Sequence, residues 1–349
     1  LKKESKKILA STSFISTVYN EEGSILEFLE SLMAQTKLPG EVVIVDGGSK
    51  DRTFELMENF FNKWTGEKKS LVRLYRGDGK EKSSRNRVYI KLIKEDGASI
   101  SKGRNTAIRN ASGELIAVSD AGCMLDQGWL EEISAGMDKD PSSINGGMNY
   151  SICSSFLQSI LALGIMPGLN EIRHEGFMPS SRNICFRRSD WEKVGGYPLD
   201  LDFGEDMKFD FNLQDKGYKL RFRPLAAVYW RMREDLPGIF RQFFRYAKGD
   251  ALGRMYLFRH LIRFISGTAF LAVLLTGILL SSWTFFAFLP LAAIYSYKPY
   301  YRLMIKWEGN ESYRPKGIKK LLALLSIPFL LIYIDSAKVF GYIYGLVKI

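Results

Sequence analysis

The sequence predicts an α/β domain built on a mixed, mostly parallel sheet, followed by a C-terminal helical membrane region. Three observations carry that prediction. Apolar runs at residues 13–18, 41–46 and 115–118 alternate with segments of helical spacing, the pattern of βαβ units. Two of these runs lead directly into carboxylates, Asp46 and Asp120, at the strand edge where open α/β sheets bind ligands. Residues 264–297 carry no charge at all.

Taken in order, residues 13–18 read as a first strand. Ile25, Leu26, Phe28, Leu29, Leu32 and Met33 then recur at helical spacing, and Lys37-Leu38-Pro39-Gly40 reads as the break after that helix. Residues 41–46 form a second buried strand. Gly47-Gly48-Ser49 turns into a helix bearing Phe54, Leu56, Met57, Phe60 and Phe61. Residues 72–75 read as a third strand, and 76–96 as a polar loop whose basic residues are solvated. Residues 97–105 form a glycine-rich turn carrying Lys102 and Arg104 ahead of a helix from Thr106. Backbone N–H groups and the helix dipole favour an anion at such a turn.

Residues 115–120 follow as a strand, and 126–130 start a helix. Residues 177–187 read as an edge strand with a polar entry, and 191–198 as a short helix and turn. Gly204-Glu205-Asp206 opens an amphipathic helix, and 222–229 is the last strand. The two strand-end carboxylates and the basic turn meet at one sheet edge, an arrangement suited to a nucleoside diphosphate. Asp46 could accept hydrogen bonds from base or ribose, and Asp120 could hold a divalent cation. Both carboxylate positions also have plain readings, Asp120 as a turn residue and Glu205-Asp206 as a helix cap.

The chain has 349 residues, 46% of them hydrophobic, enough for one large or two ordinary domains. A net charge of +11 points to an anionic partner: nucleic acid, a phosphorylated substrate or a membrane surface. Three widely spaced cysteines without a C-x-x-C pair speak against zinc or a disulfide framework. The basic start has only residues 8–10 as an apolar run, which predicts no signal peptide.

Residues 264–280 and 283–297 are long enough for a membrane hairpin over about 261–298, with a buried helix pair as the alternative. Residues 320–347 form a third apolar helix that could cross the bilayer or bend at Pro328. Basic residues flank the hairpin on both sides, including Arg254, Arg259, Arg263, Lys298 and Arg302, and its turn has none. By the positive-inside rule the α/β part, residues 1–255, faces the cytoplasm of a multi-pass cell-membrane protein. Anionic lipid then accounts for much of the positive charge, and no nucleic acid is expected as a partner.

Several motifs in order resemble the family 2 glycosyltransferases over residues 11–255. They are Thr17-Val18-Tyr19-Asn20-Glu21-Glu22, Val45-Asp46-Gly47-Gly48-Ser49, Gly103-Arg104-Asn105, Ser119-Asp120-Ala121-Gly122, Gly204-Glu205-Asp206 and Gln242-Phe243-Phe244-Arg245-Tyr246. The resemblance implies the GT-A fold and inverting transfer from a nucleoside-diphosphate sugar. Thr17, Tyr19, Glu21 and Asp46 would meet the nucleoside. Lys102, Arg104, Gln242 and Arg245 would lie toward the diphosphate. Asp120 would ligate Mg²⁺ or Mn²⁺, and Asp206, beside Glu205, would be the general base. The chain departs from the pattern at two ligand positions: Gly122 stands where a second aspartate is usual, and Trp230 where a histidine is common.

The resulting expectation is a transferase acting on a lipid-linked or envelope glycan acceptor at the membrane. A processive polysaccharide synthase is the nearer alternative. A nucleotidyltransferase, or a non-catalytic scaffold descended from a transferase, are the alternatives of other classes.

Overall fold

Leu115–Val118, the apolar run that precedes Asp120, is the middle strand of a nine-stranded sheet. In chain order the strands are β1 (Lys7–Val18), β2 (Lys37–Asp46), β3 (Val72–Tyr75), β4 (Val88–Lys94), β5 (Leu115–Val118), β6 (Cys123–Leu125), β7 (Ser143–Ile152), β8 (Ile184–Arg187) and β9 (Lys219–Arg231). Their spatial order is β3-β4-β2-β1-β5-β8-β7-β9-β6. This computed structural model describes residues 7–67, 72–75, 87–280, 283, 286, 288–305 and 314–348.

β5 is where the sheet changes character. From β3 to β5 all pairs are parallel, whereas β8 pairs antiparallel with both β5 and β7, and β6 antiparallel with β9. The parallel strands are apolar on both faces because helices cover both. Phe14, Val42, Ile44 and Ala117 enter one core, which also holds Phe28, Leu29 and Trp129. Their chain neighbours Ile15, Val43, Val45, Ile116 and Val118 enter the other, with Phe186 and Phe209. That strict alternation is the period of two of a pleated strand.

The structure departs from the sequence reading at several elements. Residues 88–94, assigned to a loop, form β4, while residues 76–86 of that proposed loop lie outside the described residues. Pro39 and Gly40 lie inside β2, where the β1 register shifts between Leu9 and Ser13; a bulge tolerates a proline that a regular ladder would not. The helix expected from Thr106 starts at Ile100 and runs to Asn110, with Ser99 Oγ accepting from the Lys102 N–H as its cap. β7 and the helix Phe156–Ile165 have no counterpart in the sequence reading.

The described residues divide into two compact units: 1–149 with 173–230, and 150–172 with 231–349. In the second, the helix Leu236–Leu252 packs against Ile318–Val347 at very short range. A Cβ added at Gly341 would lie 2.1 Å from the Phe244 carbonyl oxygen, and one at Gly345 would lie 2.6 Å from the Ala251 Cβ. Two glycines four residues apart thus form a small-residue stripe that lets two backbones meet. Arg302 forks onto Glu171 at 2.6 and 2.9 Å and also donates to the Leu163 carbonyl.

Two helices in this unit, Leu257–Leu279 and Ile318–Val347, are long and apolar enough to cross a membrane. The first keeps Leu257, Phe258, Leu261, Ile262, Phe264 and Ile265 exposed, so it is not a core helix. Residues 284, 285 and 287 of the expected second limb of a hairpin lie outside the described residues. Beyond them the chain forms two short helices, Phe288–Tyr295 and Tyr297–Met304, meeting at Ser296. At 1.5 Å per residue neither covers the ~30 Å hydrocarbon core. Residues 320–347 fall within the single helix Ile318–Val347, which contains Pro328.

Candidate active site

Asp120 sits two residues beyond β5, on the edge where the sheet changes from parallel to antiparallel pairing. Its side chain is fixed by two arginines. Arg104 Nη2 donates to Asp120 Oδ1 at 2.8 Å, and Arg182 Nε lies 3.9 Å from Oδ2. Arg104 is wholly buried, and its Nη1 donates to Glu205 Oε1 at 2.7 Å. One guanidinium therefore ties the end of β5 to the start of the helix Glu205–Asp215. Burial alone would lower the Arg104 pKa, yet Asp120 and then Glu205 hold it above its ordinary value.

Glu205 is buried, and burial, then the neighbouring Asp206 carboxylate, push its carboxyl up to about 7 against the pull of Arg104. Glu205 is thus a partner of Arg104 inside the protein rather than a group presented to substrate. Asp206, one residue on, is half-exposed. Its Oδ1 accepts from the Met207 N–H at 2.9 Å and its Oδ2 from Ser180 Oγ at 3.3 Å. Gly204, at φ +76°, supplies the left-handed turn that starts this helix. Asp210, a turn further on, is buried with no hydrogen-bond partner on either oxygen among the described residues. Burial and then Asp206 raise its pKa well above the ordinary carboxylate value.

Asp46 ends β2 and is fully buried. Its Oδ1 accepts from the Gly48 and Ser49 N–H groups at 2.8 and 2.7 Å, across a turn that Gly48 makes at φ +90°. Its Oδ2 is buried without a hydrogen-bond partner among the described residues, leaving an acceptor for a ligand N–H or O–H. Tyr19 is exposed at the end of β1. The Glu21 N–H donates to Thr53 Oγ1, and the Glu21 carboxylate accepts from Ser24 Oγ. Thr17 packs against the helix Ile100–Asn110, where a Cβ at Gly103 would lie 2.6 Å from its Cγ2.

Lys102 is exposed on that helix and pairs with Glu95 at 3.0 Å. Lys102 and Arg104 are therefore helical residues and not part of a phosphate-cradling turn. Gln242 and Arg245 belong to the second unit, on the helix Leu236–Leu252; Gln242 accepts from Arg233 Nε and donates to Tyr246 Oη.

Residues 180–183, seen in the sequence only as a polar entry to a strand, are anchored one by one. Ser180 donates to Asp206, and the Ser181 and Tyr197 hydroxyls lie 2.9 Å apart. The guanidinium carbon of Arg182 lies 4.0 Å from the centroid of the Trp230 ring. Asn183 donates to the Met148 and Ala226 carbonyls and accepts from Trp129 Nε1. Four consecutive polar residues before a buried strand were the available signal.

The two departures from the ligand pattern are close together. Trp230 lies directly opposite Cys123 in the β6–β9 pair, three residues after Asp120. A Cβ at Gly122 would lie 3.9 Å from both carboxylate oxygens of Glu21. No group of three or more His, Cys, Asp or Glu side chains gathers anywhere among the described residues. Hard divalent cations need several oxygen donors. A single aspartate already paired with two arginines does not fit a cation held by protein ligands.

The sequence matches the family model Glycosyl transferase family 2 over residues 13–192 and Glycosyl transferase family group 2 over residues 165–333. A poly-beta-1,6-N-acetyl-D-glucosamine synthase of Staphylococcus aureus is 23% identical over 249 residues, 69% of this chain and 55% of that protein. Glycosyltransferase AglE of Haloferax volcanii is 27% identical over 222 residues, 60% of this chain and 63% of that protein. The chain thus spans a little over half the length of these curated relatives. A mannosyltransferase of Pyrobaculum calidifontis, solved with GDP-Man and Mn²⁺, superposes with a TM-score of 0.58 at 18% identity, over 91% of this chain and 86% of its own. That likeness concerns the fold.

Proposed function

Because the chain belongs to glycosyl transferase family 2, we propose that it transfers a sugar, with inversion, from a nucleoside-diphosphate sugar to a hydroxyl of a lipid-linked or envelope glycan acceptor. The observation that carries this reading is the placement of Asp206. It is a half-exposed carboxylate at a helix start, oriented by Ser180, and Arg104 links its neighbour Glu205 to Asp120 at the sheet edge.

In this reading the donor lies over the carboxyl ends of β1, β2 and β5. Asp46 Oδ2 accepts from the base, and Tyr19 and Glu21 flank the nucleoside. The acceptor oxygen forms a bond to the anomeric carbon as the bond to the diphosphate oxygen breaks on the opposite side. Asp206 takes the hydroxyl proton as that oxygen becomes nucleophilic, and nucleoside diphosphate leaves. Negative charge grows on the leaving group, so fixed cations facing it lower the barrier.

A membrane location fits the two long apolar helices and the exposed side chains of Leu257–Leu279. Positive charge on the flanking segments supports a cytoplasmic catalytic part and contact with anionic lipid. A processive synthase is the second reading, favoured by Gln242-x-x-Arg245-Tyr246 and by the polymerising activity in the printed name of the staphylococcal relative.

The test is nucleoside-diphosphate release from a panel of UDP-, GDP- and dTDP-sugars in native membranes holding the full chain. Release from at least one donor, lost in Asp206→Asn while nucleotide binding persists, is the expected outcome. No release from any donor, or a fully active variant, overturns the reading. Product length separates single transfer from polymerisation.

A further inference from the structure

The place where the family pattern expects a metal is built here around a guanidinium. We propose that Arg182, held on the face of Trp230 beside Asp120, supplies the positive charge that meets the donor's diphosphate, so that donor binding and transfer need no divalent cation. This rests on the glycosyltransferase reading above.

Four features of the chain converge on it. First, both oxygens of Asp120 already face arginine nitrogens, at 2.8 and 3.9 Å. A cation on that carboxylate would have to share it with two positive charges, and like charges at such range repel strongly in a partly buried site. Second, the two substitutions in the ligand pattern are coupled in space. Gly122 removes one ligand, and Trp230 replaces another with the ring on which the Arg182 guanidinium lies, 4.0 Å from its centroid. A tryptophan face is a strong partner for a guanidinium and fixes the plane in which its charge lies.

Third, the backbone that carries Arg182 is fixed on both sides, by Ser180 and Ser181 before it and Asn183 after it. A charge already in place needs no reorganisation when the leaving group develops its own, which is the condition for effective transition-state stabilisation. Fourth, Glu21 borders the same turn: a Cβ at Gly122, two residues after Asp120, would lie 3.9 Å from both of its carboxylate oxygens.

Arg104 cannot take this role. It is wholly buried and its two terminal nitrogens are committed to Asp120 and Glu205. Arg182 keeps part of its side chain accessible, and its charge is held on the ring face beside Asp120. Guanidinium is also suited to the task, because its planar fork matches phosphate oxygens two at a time.

The experiment uses the full chain in detergent or native membranes. UDP and GDP binding is measured by calorimetry in EDTA and again in Mn²⁺, alongside nucleoside-diphosphate release from the sugar-nucleotide panel. Affinity and release rate in EDTA should stay within about twofold of their values in Mn²⁺. Arg182→Ala should lower the release rate about 10²–10³-fold, the cost of losing one preorganised charge donor, and Arg182→Lys should recover part of it. Trp230→His removes the ring and restores an imidazole. It should weaken cation-free nucleotide binding and introduce a stimulation by Mn²⁺ that the unaltered chain lacks.

Binding or release that vanishes in EDTA and returns with Mn²⁺ overturns the proposal and points to a cation between Asp120 and Glu21. Full activity in Arg182→Ala overturns it as well. The two levels of inference fail differently. Nucleotide binding that is cation-independent and Arg182-dependent, without release from any donor, sinks the transferase reading and leaves the guanidinium site standing. Release that depends on Mn²⁺ does the reverse.

Discussion

Arg104 and Gly341 hold their surroundings together by opposite means. In the α/β unit, a wholly buried guanidinium ties Asp120 to Glu205, so the end of one strand and the start of one helix are fixed by charge. In the helical unit, Gly341 and Gly345 let the helices Leu236–Leu252 and Ile318–Val347 touch backbone to backbone, so that contact is fixed by shape. A charge network can be tuned in strength, pH response and partner, and it surrounds the groups proposed to do chemistry. A close-packed stripe has one satisfactory state, and one of the two helices it joins, Ile318–Val347, is long and apolar enough to cross a membrane. The contrast suggests where substitutions should act on rate and where on assembly.

The sharpest probe of the charged region is Asp206→Asn, which should cost about 10²–10⁴-fold in transfer rate if the carboxylate is the general base. Melting temperature and nucleotide affinity should stay near those of the unaltered chain, and a matching loss of affinity would move Asp206 from catalysis to binding. Arg104→Met comes next. It leaves two carboxylates without their shared partner, a change that costs about 3–5 kcal/mol when a buried pair is broken from one side. Denaturant unfolding should show that loss, and adding Glu205→Gln should return part of it. A loss of a few tenths would mean that the network is ornamental to stability.

On the other side of the comparison, Gly341→Ala places a methyl group 2.1 Å from a backbone oxygen, which has no side-chain freedom to yield. Overpacking of this kind costs about 1–3 kcal/mol. The loss should appear in thermal unfolding in detergent at every pH. A fully stable alanine variant would show that the two helices do not approach as closely as the glycines allow.

The last probe is the pH response of the charged region. Glu205 is raised from 4.5 to about 7, so the folded chain holds its proton more tightly than the unfolded chain does. That contribution to stability is complete below about pH 4.5 and is lost as pH rises through about 7. The slope is at most about 1.4 kcal/mol per pH unit. Glu205→Gln should flatten this part of the stability profile, and an unchanged slope would remove Glu205 as its source.

Legibility followed the same division. The parallel strands could be read because they are buried on both faces and so run apolar without interruption, as Val42 to Val45 do. β4 escaped because Lys91 interrupts it. Only the fold reveals that Lys91 is buried against Glu41 at 2.7 Å and donates to the Asn110 carbonyl. The true start of the helix Ile100–Asn110 was hidden by Gly103. That residue reads as turn chemistry, whereas its function is to admit the Thr17 methyl. At the sheet edge, strand-end carboxylates announce themselves, so the placement of Asp46 and Asp120 was readable. Arg182 was not, since the tryptophan that positions it lies 48 residues away in the chain and no local pattern links them. The long apolar helices were legible by their lack of charge, but the break at Ser296 gave no compositional signal.

The three cysteines offer an unexpected use of the fold. All are free and buried, and burial pushes the Cys123 and Cys185 thiols up to about 12 and raises Cys153 as well. At neutral pH the reactive thiolate fraction of a group at pKa 12 is on the order of 10⁻⁵. The folded chain should therefore ignore alkylating reagents, and each thiol should react only when its own surroundings open. Cys123 and Cys185 belong to one unit and Cys153 to the other. Without any engineered label, the order in which they are modified is a clock for which part of the molecule lets go first.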